Sequence, residues 1–575
     1  MRSRIVGSAL CWVLVAGLAY GAAAPASSTS RPGVSAPVLV NKSKHKGHAY
    51  RQYRHAADAY FKGVNVKQTS YEFLVRLPRT SSTGKGSAAP PLVVLLHSRS
   101  GDYMRHEGRW PDHVVLVPDD NTVGIGHSAW FGYHELAPKR PKQDTVVVPY
   151  THRRLIYYIQ FALRELGVDP NRIWIMGRSM GGGGALLFAL LHPEWVVGAV
   201  AEQPHIDMRT LPAYHPIVEQ VFGPRKWNLK VAGTEVGVWH CTSIPWLLSE
   251  RRAFRTWLSI RHGRRDKVVR FEQYYTSVSP PGQSVLQLLE QGAAPAMFVW
   301  DMSGHGETDP LGTWWPEFAP LETGLIRRDR PSFAFSNPSL GHFGVPEQVG
   351  VWKTDRRPHR DSRGMINGFC RWDGEDLVDR PNRLEVSLWL SDTGPVTRRC
   401  PVETMRCNVS PRGTRQFPIP AGGEFQYRTL PDGPRGRVTA DRHGVLTLRD
   451  LPLRRGRKNA IRLAIRHDPS VPVVGIVSPT HPDAMPRATT TLIVRWSVAN
   501  SSNRNPMPVD RYRCWLAASP GAPPPPDCDT PRTERVFESV QPGRHYLMAQ
   551  ARLITGRWGP VTLREVNVSP ASPVR

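Results

Sequence analysis

One stretch leaves this chain few folds to choose from. Residues 172–185, RIWIMGRSMGGGGA, run from a short apolar string directly into a serine set among five glycines. So much glycine is required only where the backbone takes a positive φ or another chain passes too close for a Cβ. Three arrangements use glycine this way. A phosphate-cradling loop needs a lysine after its glycines, and none follows here. A dinucleotide turn needs G-x-G-x-x-G; Gly177, Ser179 and Gly182 put serine at the middle position, with Glu202 at the distance of a ribose-binding acid. That turn ordinarily follows the first strand of its sheet, whereas this one follows at least two. The third arrangement, G-x-S-x-G, is filled by Gly177, Arg178, Ser179, Met180 and Gly181. It places the serine on a strained turn between strand and helix. Gly182, Gly183 and Gly184 then fall inside the helix, where each costs about 1 kcal/mol relative to alanine, which points to close packing of that helix.

The surrounding pattern fits a strand–turn–helix unit. PLVVLLH (91–97), HVVLVPDD (113–120), RIWIMG (172–177), VVGAVAEQ (196–203), the second half of FRTWLSIRHG (254–263) and AMFVWD (296–301) are short apolar runs. Continuous runs of this kind are expected of parallel strands buried on both faces. SYEFLVRLP (70–78) opens the series, and HRRLIYYIQFALRELGVD (152–169) and GGGGALLFALLHPE (181–194) read as helices between strands. Alternation of strands and helices predicts a mostly parallel α/β sheet over residues 68–325.

A serine on such a turn requires a base, and the base an acid to hold its tautomer. HGRRDKVV places Asp266 in a loop after one strand, and DMSGHGE places His305 in a glycine-flanked loop after the next. Asp301 is the rival acid; His97 and His262 are rival bases at strand ends. GVDPNRIWIMGRSMGG, HGRRDKVV and GHGE together resemble the α/β-hydrolase fold, a mostly parallel sheet flanked by helices. Within that fold they resemble secreted serine esterases of the feruloyl-esterase and polyhydroxyalkanoate-depolymerase type. The prolyl oligopeptidase catalytic domain is a more distant likeness. The resemblance implies Ser179 as nucleophile, His305 as general base and then acid, and Asp266 as the orienting acid. It also implies an oxyanion hole from the backbone N–H of Met180 and one from the loop at Ser98 or Arg99. That loop reads HSRSGD where these enzymes usually carry an HG pair. No metal or organic cofactor is implied. Arg178 beside the nucleophile, with Trp130 and Tyr133 in SAWFGYHE (128–135) and Trp314 in TWWPEF (313–318), are candidates to line the cleft. Packing of those loops on the sheet is the alternative for the aromatic residues.

Beyond residue 325 the texture changes to alternating, β-branched segments parted by Gly, Pro and Asp, which predicts two all-β sandwich-like domains over 326–470 and 471–575. The second resembles a fibronectin type III or immunoglobulin-like module in its size and in Trp496 on an early strand. SPGAPPPPD (519–527) is a surface loop within it.

At the other end, Arg2 and Arg4, the apolar IVGSALCWVLVAGLAY and the small-residue GAAAPASS have the three parts of a secretory signal, residues 1–24. An uncleaved anchor is the alternative; no other stretch approaches spanning length. Residues 25–67, rich in Ser, Lys and His, read as a flexible leader. Export agrees with the even set left after Cys11: Cys400 with Cys407 and Cys514 with Cys528 are the expected disulfides, leaving Cys241 with Cys370. None has the spacing of a zinc site. The net charge of +27 comes without any nucleic-acid-binding motif, so specific nucleic-acid binding is not expected. The basic surface is expected to meet anionic material outside the cell.

The expected activity is that of an exported serine esterase, acting through an acyl-enzyme on an extracellular or polymer-linked ester. The appended sandwiches would contact a carbohydrate or cell surface. A secreted peptidase of the prolyl oligopeptidase type, and an inactive surface-binding protein, are the alternatives.

Overall fold

The structure, a computed structural model, describes residues 34–79, 89–99, 101, 110–211, 214–250, 255–274, 285–291, 294–307, 325–339, 364–394, 399–431, 433–467, 474–479, 492–498 and most of 509–568. The expected signal segment and Trp314 lie outside them.

A single large sheet organises the first half. Its strands are β1 (Val38–His45), β2 (His48–Ala56), β3 (Ser70–Arg76), β4 (Leu92–Leu96), β5 (Val114–Pro118), β6 (Ile173–Arg178), β7 (Gly198–Glu202), β8 (Trp257–Gly263), β9 (Ala296–Asp301) and β10 (Gly364–Ile366). They lie in the order β1-β2-β3-β5-β4-β6-β7-β8-β9-β10. From β5 to β9 every pairing is parallel. The antiparallel strands β1 to β3 close one edge and β10 the other. The apolar runs are continuous because both faces are covered, but the faces bury different side chains. Ile173 and Ile175 of β6 pack with helices α1 (Tyr150–Glu165) and α2 (Met180–Leu191). Trp174 and Met176, which alternate with them, belong to a second core.

That second core runs directly into the first β domain. Trp174, Met176, Val200, Trp257, Met297 and Val299 share one continuous cluster with Phe333, Phe335, Trp372, Leu384 and Leu463. The rings of Trp257 and Trp372 lie 5.6 Å apart. Asn367 donates to the Ala296 carbonyl at the end of the sheet (3.0 Å) and to Phe335 O (2.8 Å). The sandwich sheets are Ser332–Ser336, Thr404–Arg412 and Leu448–Arg454 on one side, and the strands between Cys370 and His467 that pair through Arg383–Leu390 and Ile461–His467 on the other. Residue 325 therefore separates textures in the sequence but not cores, and β10 crosses back into the α/β sheet. The last domain has its own core around Val494, Trp496, Leu547 and Val566. Its two sheets are Val474–Pro479, Leu492–Val498 and Glu534–Phe537, and Asp529–Thr530, Val509–Ala517, Gly543–Leu553 and Thr562–Val568.

Two further expectations are corrected. Residues 38–56 are not a flexible leader but the β1–β2 hairpin, continued into the sheet by the pairing of β2 with β3. β1 is exposed along its whole length and carries Lys42 and Lys44, charges suited to an unpaired edge. The expected disulfides are not formed: Cys241, Cys370, Cys400, Cys407, Cys514 and Cys528 are all buried thiols. The neighbouring Cys370, together with burial, pushes the Cys407 thiol up. The Cys400 Sγ is turned instead to the Val402 carbonyl, 3.5 Å away. Cys514 and Cys528 do lie opposite each other, with the Cys514 N–H 3.4 Å from the Cys528 carbonyl. Among the described residues no helix is long and apolar enough to cross a membrane.

Four histidines, three buried and one half-buried, make the fold sensitive to acid. Burial lowers the pKa of His55, His113 and His205 to about 4 and that of His467 to about 3. The folded state thus favours the neutral rings, and their contribution is complete above the ordinary histidine value near 6.5 and lost as pH falls toward 4. Stability is expected to decline steadily between those values, each ring contributing up to about 1.4 kcal/mol per pH unit. Urea melts across this range test it; a flat profile would mean that these rings protonate without cost in the folded protein.

Candidate active site

Every element of the site stands at the carboxyl end of the parallel strands. β6 leads into Ser179, which has φ 54° and ψ −117°. A non-glycine residue held there costs about 1–3 kcal/mol and persists only where its surroundings determine it. Here the Ser179 N–H donates to the Glu202 carbonyl (2.8 Å), and the Ser179 carbonyl accepts from Gly183 N–H (3.0 Å). The flanking glycines have steric reasons. A Cβ on Gly177 would stand 2.4 Å from the Gly181 carbonyl, and one on Gly181 would stand 2.3 Å from the Leu96 carbonyl. The helix glycines are crowded too: Gly183 lies against the His205 ring and Gly184 against Trp130. Close packing thus accounts for the glycines inside α2, whose residues are all buried.

Asp266 follows β8 and His305 follows β9. His305 Nδ1 donates to Asp266 Oδ2 (2.7 Å), and its Nε2 is 2.9 Å from Ser179 Oγ. With the proton on Nδ1, Nε2 is free to accept from the serine hydroxyl. The histidine loop reaches this position because Gly306 takes φ 79° and because Gly263 leaves room, its missing Cβ falling 2.1 Å from the Ser303 carbonyl. The Asp266 side chain is fully buried. Its Oδ1 accepts from Val268 and Val269 N–H, both at 2.8 Å. Burial pushes the Asp266 carboxyl up, but hydrogen bonds from His262 and His305 outweigh it and hold the group well below the usual carboxylate range. The acid is therefore an anion at any pH where the protein works.

The rivals have other occupations. Asp301 is fully buried and paired with Arg261, whose Nε lies 2.7 Å from it. His262 sits in the core with Nε2 2.7 Å from the Val269 carbonyl and 3.3 Å from Asp266 Oδ2, so it supports the acid from behind. His97 Nε2 accepts from Asp120 N–H (3.1 Å) and its Nδ1 meets the Ser98 carbonyl (2.8 Å).

Among the other residues expected at the site, Met180 is the first residue of α2, and its N–H is one of those a helix cannot satisfy internally. Ser98 and Arg99 lie in the turn after β4, closed by Gly101 N–H to the Ser98 carbonyl (2.9 Å), beside the point where Gly181 touches Leu96 and His97. The Arg99 guanidinium lies over the Tyr214 ring at 5.1 Å. Two of the cleft assignments are corrected. Trp130 and Tyr133 are wholly buried: Trp130 donates to the His97 carbonyl (3.0 Å), and the Tyr133 hydroxyl accepts from Gly63 N–H (3.3 Å). They are packing residues, not a stacking platform. Arg178 stays partly exposed beside Ser179; it lies 3.3 Å from Glu202 Oε1 and donates to the Glu307 carbonyl (3.3 Å). It ties the serine turn to the histidine loop. Glu202 in turn accepts from the buried Arg261 (2.6 Å), so the near-match to a ribose-binding acid is an ion-pair partner inside the sheet.

No protein-family model matches the sequence, and no curated protein aligns with it significantly. Among solved structures, an S-formylglutathione hydrolase from Agrobacterium tumefaciens is similar at 15% identity over 46% of this chain and 90% of its own, with a TM-score of 0.31. An acetyl xylan esterase from Paenibacillus sp. R4 is similar at 16% identity over 48% of this chain and 84% of its own, TM-score 0.31. The acylaminoacyl peptidase of Pyrococcus horikoshii matches at 16% identity over 46% of this chain and 39% of its own, TM-score 0.32. The parallel strand order, the strained serine turn and the buried helix that follows it make the first half of this chain an α/β-hydrolase fold.

Proposed function

We propose that the protein is an exported serine hydrolase that cleaves carboxylic esters through an acyl-enzyme. The observation that carries this reading is the unbroken chain of hydrogen bonds from Ser179 through His305 to Asp266. Ser179 Oγ attacks the ester carbonyl carbon while its proton passes to His305 Nε2. The developing oxyanion is met by the N–H of Met180 and by one from the Ser98–Arg99 turn. His305 then returns the proton to the departing alcohol, leaving an acyl group on Ser179. Water, deprotonated by the same imidazole, attacks that acyl group and releases the acid and the free serine. The anionic Asp266 stabilises the imidazolium present in each half of the cycle.

Export is supported by the tripartite N-terminus, and an extracellular or polymer-bound ester by the pairing of one catalytic unit with two β domains and a net charge of +27. The last domain is proposed to be fibronectin type III-like; its sheets of three and four strands support this. Such a module would contact carbohydrate or another surface polymer.

Labelling with a fluorophosphonate probe tests the reading. Covalent capture is expected in the native protein and absent in Ser179→Ala; capture that persists in that variant would remove Ser179 from its role. Hydrolysis of short p-nitrophenyl esters is expected to exceed that of prolyl-peptide anilides. The reverse preference would replace esterase with peptidase.

A further inference from the structure

The imidazole of His305 is carried on a glycine-flanked loop, and such a loop holds a side chain in place only if something holds the loop. Hydrogen bonds to Asp266, which accepts from Nδ1, and from Ser179, which donates to Nε2, fix the ring at its tip. The backbone on either side of the residue is held by a different group. Gln203, the residue immediately after β7, is wholly buried and directs its carboxamide between Gly304 and Gly306. Its Nε2 donates to the Gly304 carbonyl, and its Oε1 accepts from the Gly306 N–H at 2.8 Å. The Ser303 hydroxyl lies 3.4 Å from the same Nε2. One planar group therefore closes on the residue before His305 and the residue after it.

The chemistry of these contacts is demanding. The loop offers one acceptor and one donor, and only a group with both, correctly spaced, satisfies the two. A carboxylate would turn a lone pair toward the Gly304 carbonyl, and an apolar side chain would leave the Gly306 N–H without this partner and the Gly304 carbonyl with only the longer bond from Glu307 N–H (3.3 Å). The backbone of Gln203 is adapted to the task. Its φ of 46° is one that glycine adopts freely and other residues pay strain to hold. Its own N–H donates to the Arg261 carbonyl (2.7 Å), and Arg261 is locked between Glu202 and Asp301. The clamp is thus anchored to a fully buried, ion-paired residue of the sheet.

We infer that Gln203 is a positioning residue whose carboxamide grips the backbone on both sides of His305 and so sets the imidazole between Ser179 and Asp266. This rests on the serine hydrolase reading for its effect on rate, but not for its effect on the loop. Misplacement of a reacting group by about 1 Å costs on the order of 100-fold in rate. Gln203→Leu is therefore expected to lower kcat on p-nitrophenyl acetate about 100-fold, with little change in KM. Gln203→Glu keeps the acceptor for Gly306 and loses the donor to Gly304 unless it is protonated. Its activity relative to the native protein should therefore rise as pH is lowered through the carboxyl range, a dependence that simple destabilisation would not produce.

Hydrogen–deuterium exchange, followed on the peptide containing residues 304–306 in the full chain, reads the clamp without reference to catalysis. Protection of the Gly306 amide is expected in the native protein and in Gln203→Glu, and its loss in Gln203→Leu. If the native protein shows no hydrolysis but this pattern of protection appears, the enzyme reading fails while the clamp stands. Native-like exchange in Gln203→Leu, or a kcat within about threefold of native in an active enzyme, would overturn the inference.

Discussion

Asp266→Asn is expected to lower kcat by about 10⁴-fold while leaving the protein folded. The size of the loss follows from what the amide does to its neighbour. Oδ1 still accepts from Val268 and Val269, so the 266–269 turn is preserved. At the other position an NH₂ group now faces His305 Nδ1, where a carboxylate oxygen stood at 2.7 Å. Nδ1 must become the acceptor, the imidazole proton moves to Nε2, and the ring points a donor at Ser179 with nothing to receive the serine proton. The imidazolium formed during reaction also loses the anion beside it. Asp301 cannot substitute, since both of its oxygens are occupied, one by Arg261 and the other by the Ser303 N–H and hydroxyl. Rates of p-nitrophenyl ester hydrolysis near neutral pH, with circular dichroism to verify folding, decide the point. A loss of less than about tenfold would show that His305 needs no orienting acid here.

Cutting the chain at residue 325 is expected to abolish folding, although residues up to that point contain all three members of the hydrogen-bonded chain. Trp174, Met176, Val200, Trp257, Met297 and Val299 would lose the cover of Phe333, Phe335 and Trp372. At about 2 kcal/mol per large apolar side chain, that loss is on the order of 10 kcal/mol. The whole stability of a domain is only about 5–15 kcal/mol. A chain ended near residue 470 keeps this cover, since the last domain has a separate core. It should fold and melt cooperatively. Expression of the two truncations side by side, with thermal melting of any soluble product, makes the comparison. A soluble, cooperatively melting product of the shorter chain would mean that the sheet does not depend on the sandwich.

The catalytic half was legible because its strands are buried on both sides and so stand out as apolar runs: AMFVWD became Ala296–Asp301 without adjustment. The serine turn was legible from its glycines, whose crowding leaves no other residue type. What the sequence did not reveal depends on contacts that span long separations. Gln203 carries no local sign of its function, because its two hydrogen bonds are made to residues about a hundred positions away. The β1–β2 hairpin was hidden by composition, since its outer strand is exposed and carries the Lys and Ser of a solvated segment. Trp130 and Tyr133 looked available because aromatic residues in a loop near a cleft are ambiguous; burial distinguishes packing from recognition, and burial is a tertiary property. The junction at 325 misled for a related reason. A change from helices to alternating strands marks a change of architecture, which need not coincide with a change of core.

The shared core also has a consequence in time. The serine turn belongs to a sheet whose far face is covered by strands that lie later in the chain, and β10, which completes its edge, also follows β9 in the chain. As the polypeptide emerges from the ribosome, N-terminal segments first, the reactive serine is made well before the surface that stabilises its sheet. Nucleophilic competence is therefore a late event in biogenesis, reached only when the sandwich has closed over the back of the sheet. Under the export proposed above, the delay would keep the serine inactive until the chain is complete.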